Sequence, residues 1–162
     1  YGELSVYSIS GRLGRVRYLA YSFIVTLIGQ VLLGLVGGIG GASGEQAGTL
    51  ALVGIGVVTI AMVVISVMIG VQRLHDLDKT GWLYLLMLVP IVNIIFGLYM
   101  LFAPGTQDAN RFGNPPPPNS TGVIIAMWLL IIVFIGGIVA AITIPAYNDY
   151  VQQAQEQQQQ QQ

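Results

Sequence analysis

The stretch Arg73-Leu-His-Asp76, followed by Asp78 and Lys79, gathers cations, carboxylates and the chain's one histidine. A histidine beside an aspartate can relay a proton or hold a metal, with the carboxylate fixing the tautomer. A metal site needs three or four ligands, however, and no others are near His75 in the sequence. The second concentration of charge is Gly11-Arg-Leu-Gly-Arg-Val-Arg17, with Arg12, Arg15 and Arg17. Such a run attracts anionic lipid headgroups or an acidic partner, at about 1 kcal/mol per basic residue near an anionic surface. It equally serves to anchor an adjoining span. Its glycines do not make a phosphate-binding fingerprint, because no strand precedes them and the third glycine is missing.

A third polar stretch, Ala103 to Pro115, reads as an ordered turn-rich loop in which Asp108 and Asn110 bond the local backbone and Arg111 pairs with a carboxylate. The expected arrangement is an interfacial ion-pair cluster. In it, Arg73, Asp76, Asp78 and the N-terminal arginines dock the Gln72–Gly81 loop against the start of the first apolar segment. Gly81 permits a sharp turn there, and Trp82 suits the headgroup level.

These polar groups are positioned by a chain that is mostly oil. Of 162 residues, 54% are hydrophobic and 8% charged, with a mean hydropathy of +0.73. Soluble domains carry about 25% charged residues. Too few remain here to coat a water-facing surface, so the fold expected is an all-α integral membrane bundle. A net charge of −1 argues against a nucleic-acid partner. With no cysteine, thiolate metal sites and cysteine nucleophiles are excluded. No cofactor is implied, and no enzyme activity.

About four transmembrane helices are expected, since each of four uncharged apolar segments reaches the roughly 20 residues a span needs. They run from about Tyr18 to Gly40, Gly48 to Val71, Trp82 to Ala103 and Gly122 to Ile144. Pro90 and Asn93 interrupt the third, which can therefore either cross the bilayer or fold back at Pro90. Full crossing is the favoured expectation. No cleavable signal peptide is expected, because the first apolar run is long and lacks a small-residue cleavage site. The terminal Gln157–Gln162 tract offers no apolar face and is expected to be disordered.

Orientation follows from basic residues. Arg12, Arg15 and Arg17 precede the first segment, and Arg73 and Lys79 follow the second, whereas Gly41–Ala47 holds only Glu45. The N-terminus and the Gln72–Gly81 loop are predicted to be cytoplasmic. Four complete spans would return the tail to that side, yet the tail after Pro145 has no Lys or Arg.

Within the segments, small residues recur four apart: Gly34 with Gly38, Gly37 with Gly41, Gly136 with Ala140, and Gly137 with Ala141. This spacing lets helices approach closely, either inside the bundle or against a partner. Only Gln30 and Asn93 are strongly polar at depth, which counts against an ion or proton pathway.

Gly11-Arg-Leu-Gly-Arg-Val-Arg-Tyr18, Arg73-Leu-His-Asp76 with Gly81-Trp82, and Pro104-Gly-Thr106 with Asn110-Arg-Phe-Gly113 and Pro115 together resemble a bacterial inner-membrane family, domain of unknown function 805. The resemblance implies a helical inner-membrane protein and no particular activity. It divides the chain into a family-like domain over residues 1–116, a proline-linked helix over 117–151 and a Gln-rich tail over 152–162. Ile144-Pro-Ala-Tyr with Asp149-Tyr-Val151 also resembles the N-terminal helix of type IV pilins, without their cleavage site, glutamate or globular head. The function expected is a non-catalytic accessory or assembly module, in contact with membrane lipids and with another membrane protein through the C-terminal helix. The alternative is a small transporter, channel or lipid-handling protein.

Overall fold

A computed structural model describes residues 1–4, 7–42 and 45–160. Four α-helices form in it: α1 (Arg15–Ala42), α2 (Glu45–Asp76), α3 (Val92–Phe102) and α4 (Thr121–Gln160), with a 3-10 helix, Gly81–Leu88, between α2 and α3. Of the helices, α1, α2 and α4 are each long and apolar enough to cross a membrane. Only 6% of the most apolar stretch of α2 is buried. Leu52, Val53, Val57 and Ile60 all point outward, a surface that lipid solvates and water does not. The all-α membrane fold therefore stands as expected.

The chain divides into two compact units, Tyr1–Met127 and Trp128–Gln162. In the first, α1 and α2 pack antiparallel. Contact runs through Gly29 against Met62, Val36 against Gly54, and Gly40 against Ala51, where a Cβ on each glycine would collide with its neighbour. This stripe rises through α1 in steps of seven and four residues, the spacing of one helical face. Gly34, Gly37, Gly38 and Gly41 instead have nothing near the position a Cβ would take. The α1–α2 contact thus uses a different face from the one that carries Gly34 and Gly38. Four-residue spacing marks a smooth face of a helix without saying which neighbour it meets.

The third apolar segment is not one continuous helix. Its 3-10 helix of 8 residues reaches about 16 Å, and α3, with 11 residues, about the same. Each is about half of a 30 Å hydrocarbon core. Between them, Pro90 cannot donate to a helix ladder, and Ile91 takes φ 71°, a region costly for a β-branched residue. Both outer ends of the segment return to the end of α2. Gly81 packs on Val71 and Tyr84 on Gly70, while the carbonyls of Met100 and Ala103 accept hydrogen bonds from Arg73. The segment folds back as a hairpin, the geometry that the second of the two readings left by Pro90 and Asn93 requires.

Ser120 opens α4, its hydroxyl accepting from the Val123 amide at 3.4 Å. Val123 and Ala126 then bury against Ala20 of α1. The first compact unit consequently runs on past the proline run to Met127. The second unit, taken by itself, is helical through Pro145, which withdraws one backbone donor without ending the helix. Gln152 to Gln160 is helical where disorder was expected. Glutamine is a good helix former, and extending an existing helix avoids the nucleation penalty. Gln161 and Gln162 lie outside the described residues.

Because the chain lacks cysteine, single introduced cysteines report sidedness cleanly. Lys79→Cys and Gln107→Cys, both at exposed positions, should react with an impermeant maleimide from the same side of the membrane, and Gly41→Cys from the other. Labelling of positions 79 and 107 from opposite sides would mean that the third segment crosses.

Candidate functional site

The polar end of the first unit is built around Asp76, the last residue of α2. Arg12 Nε and Nη2 donate to its Oδ1 at 3.2 and 3.1 Å, and Arg73 Nη1 donates to its Oδ2 at 2.7 Å. The side chains of Arg12, Arg73 and Asp76 are 1%, 0% and 3% exposed. Water cannot solvate these charges, so the remaining guanidinium donors need other acceptors. Arg12 donates to the carbonyls of Asp108 at 2.7 Å and Gly113 at 3.2 Å, and to that of Thr106. Arg73 donates to Met100 O at 2.7 Å and Ala103 O at 2.5 Å. A cation thereby closes the C-terminal end of α3, where the helix dipole favours positive charge.

Local sequence explains how these groups arrive. Gly11 takes φ 89°, which turns the N-terminal segment into the site at a conformation suited to glycine. Leu13 is then buried, and its amide donates to Gln72 O at 3.0 Å. The carbonyls at the end of α2 all find donors. His75 O accepts from Asn110 Nδ2 at 2.8 Å, and Asp76 O from the Thr106 amide at 2.9 Å and hydroxyl at 3.1 Å. Gly105 sits hard against the Asp76 carboxylate, where any Cβ would collide.

On one flank, the His75 ring stacks on Phe112 with centroids 3.9 Å apart and planes 7° from parallel. Its Nδ1 lies 3.2 Å from Gly11 O, which makes Nδ1 the protonated nitrogen of the neutral ring. The Arg111 guanidinium also lies over the Phe112 ring, 4.8 Å from its centroid. Gln72 Nε2 donates to Ser8 O. On the opposite flank, Arg17 donates to Pro117 O at 3.0 Å and Pro118 O at 2.9 Å. A proline run has no ladder of its own, so its carbonyls are available to a side chain.

The expected ion-pair cluster exists, with a narrower membership. Arg12, Arg73 and Asp76 form its centre, and His75 and Asn110 brace it. Asp78 takes no N-terminal arginine. It follows the end of α2 with φ 55° and turns outward to an ion pair with Arg111 at 3.2 Å, both side chains about half exposed. Screening leaves such a pair little stabilising value. Arg15 is exposed and joins no ion pair among the described residues. Trp82 is 79% exposed at the start of the hairpin. Thr106, Phe112, Pro117 and Pro118 were not foreseen as partners. The signal that could have pointed to Thr106 is the Gly105 beside it, placed where a backbone must pass close to something.

Residues 6–114 match the family described as protein of unknown function (DUF805). The chain belongs to the DUF805 family. The matched region holds the buried knot, both helices of the α1–α2 pair and the hairpin, and it ends before α4. No curated protein and no solved structure matches the chain. In this DUF805 protein the knot joins four stretches: the N-terminal segment, the end of α2, the end of α3 and the loop through Gly113.

Removing the carboxylate strands two buried cations. Asp76→Asn should destabilise the protein by about 3–5 kcal/mol, and Gly105→Ala by about 1–3 kcal/mol through overpacking. The exposed Lys79→Gln should stay within about 0.5 kcal/mol. Melting in detergent, followed by circular dichroism, checks all three; an Asp76→Asn protein that melts with the parent would show the knot to be dispensable.

Proposed function

We propose that this DUF805 protein is a non-catalytic, multi-pass protein of the bacterial inner membrane that docks another membrane protein through its last helix. The supporting observation is the division into two units, with the first closed on itself and the second carrying unburied apolar surface. In the first, the buried charges hold one another and backbone carbonyls, an arrangement that fixes loops. In the second, Ile132, Ile135, Val139 and Ile142 are exposed. They flank Gly136, Gly137, Ala140 and Ala141, whose small size permits close approach of an apolar helix. The likeness of the Ile144–Val151 stretch to a pilin helix fits a helix that packs among other helices. For the alternative, a polar conduit, Gln30 is the natural lining residue, and it lies on an exposed face of α1.

The proposed orientation puts the N-terminus and the Gln72–Gly81 loop in the cytoplasm, on the basis of Arg12, Arg15, Arg17, Arg73 and Lys79. With the third segment re-entrant, an odd number of crossings follows, and the tail without Lys or Arg emerges outside. Lipid is the other partner, along the outward apolar faces.

Glu156→Cys should therefore label from the side opposite to Lys79→Cys. The double variant Gly137→Leu, Ala141→Leu should reach parental levels in the membrane yet lose the protein that co-purifies with the parent in mild detergent. Retained co-purification, or a collapse in protein level, would each defeat the docking proposal.

A further inference from the structure

The N-terminus of α1 opens into a cavity of about 520 Å³, walled on one side by Gly14 to Arg17 and on the other by the proline run. Its size lies within the range of small-molecule sites, about 300–1,000 Å³. The first amides of an α-helix have no acceptor inside the helix. Here the residue before α1 is Gly14, whose carbonyl receives the Tyr18 amide at 2.8 Å. Glycine has no side chain to cap the turn, unlike the Ser120 that opens α4.

Arg17 makes a second, separate observation. It lines this cavity and is only 3% exposed, yet its Nε has no hydrogen-bond partner. Its Nη groups meet proline carbonyls, which solvate a cation and do not neutralise it. The carboxylate in the cavity wall is Asp76, and both of its oxygens are taken by Arg12 and Arg73. Arg12, Arg15, Arg17 and Arg73 thus stand around a single carboxylate. The excess of buried positive charge lies beside free helix amides at the polar end of the membrane unit.

We propose that this cavity binds a phosphate group, held by the opening amides of α1 and by Arg15, with Arg17 supplying buried counter-charge. The chemistry is that of anion capture at a helix N-terminus. Lipid phosphodiester and free phosphate share it, and the position of the cavity at the polar end of α1 suits a headgroup. The inference concerns the first unit and does not depend on the docking role of α4.

The test titrates phosphatidylglycerol, phosphatidylcholine and inorganic phosphate separately into the full chain in neutral detergent, with bound ligand read by native mass spectrometry. Arg15 is exposed, so Arg15→Gln should fold and melt with the parent; it should weaken phosphatidylglycerol binding by about tenfold, the loss of one charge-assisted contact. Lys79→Gln, an exposed cation outside the cavity, should leave binding unchanged. Saturable binding of inorganic phosphate with the same dependence on Arg15 would support the site with a soluble ligand. Equal weakening by the two variants would overturn the proposal, because it would reduce the effect to surface charge. Lipid binding that is unchanged in Arg15→Gln, with no binding of inorganic phosphate, would overturn it as well.

Discussion

Asp76 stands between two guanidinium groups that the fold has taken out of water, and the three cannot be parted without leaving a buried charge uncompensated. Pairing of this kind adds little net stability over an apolar equivalent, because desolvation offsets much of the Coulomb attraction. What it adds is position. Arg12 reaches five acceptor contacts on α2 and on the loop through Gly113, and Arg73 adds two carbonyls at the end of α3. Apolar packing in lipid is nearly indifferent to register, since lipid tails solvate a Leu as well as a neighbouring helix does. Directional charge-assisted bonds select one arrangement among many that are similarly oily.

The same logic explains the hairpin. Two short helices and a turn at membrane depth leave backbone groups that only protein can satisfy. Here the 3-10 helix lies against α2 and α3 against the 3-10 helix and α1, with Tyr84 on Gly70 at one end and Arg73 on the α3 carbonyls at the other. The hairpin and the knot are therefore one construction: Arg73 needs carbonyls to replace water, and α3 needs a donor where its ladder ends.

Much of this was legible in the residues. The length of each apolar run and its lack of charge identify the helices, and Pro90 with Asn93 marks the broken one. The three polar signatures announce that charges meet at one boundary. What could not be read is which acceptors they would meet. Backbone carbonyls look alike in any sequence, so the carbonyls of Met100, Ala103, Asp108 and Pro117 carry no mark of their role. Asp78 and Asp76 differ by two residues and end up on opposite sides of the solvent boundary, because the helix stops between them. The facing stripe of α1 carries no mark for a related reason: several faces of that helix are small and smooth, and the choice among them lies in α2.

The order in which the knot's parts leave the ribosome has its own consequence. Arg12 emerges first, Asp76 long after, and the carbonyls of Thr106, Asp108 and Gly113 later still. Until then Arg12 lacks the carbonyls that stand in for water around it. Completion falls after Gly113 and before Thr121, where α4 begins. The proline run occupies that interval, and Arg17 holds its carbonyls. The first unit as a whole closes later than its knot, because it also needs the opening turns of α4, where Val123 and Ala126 bury against Ala20.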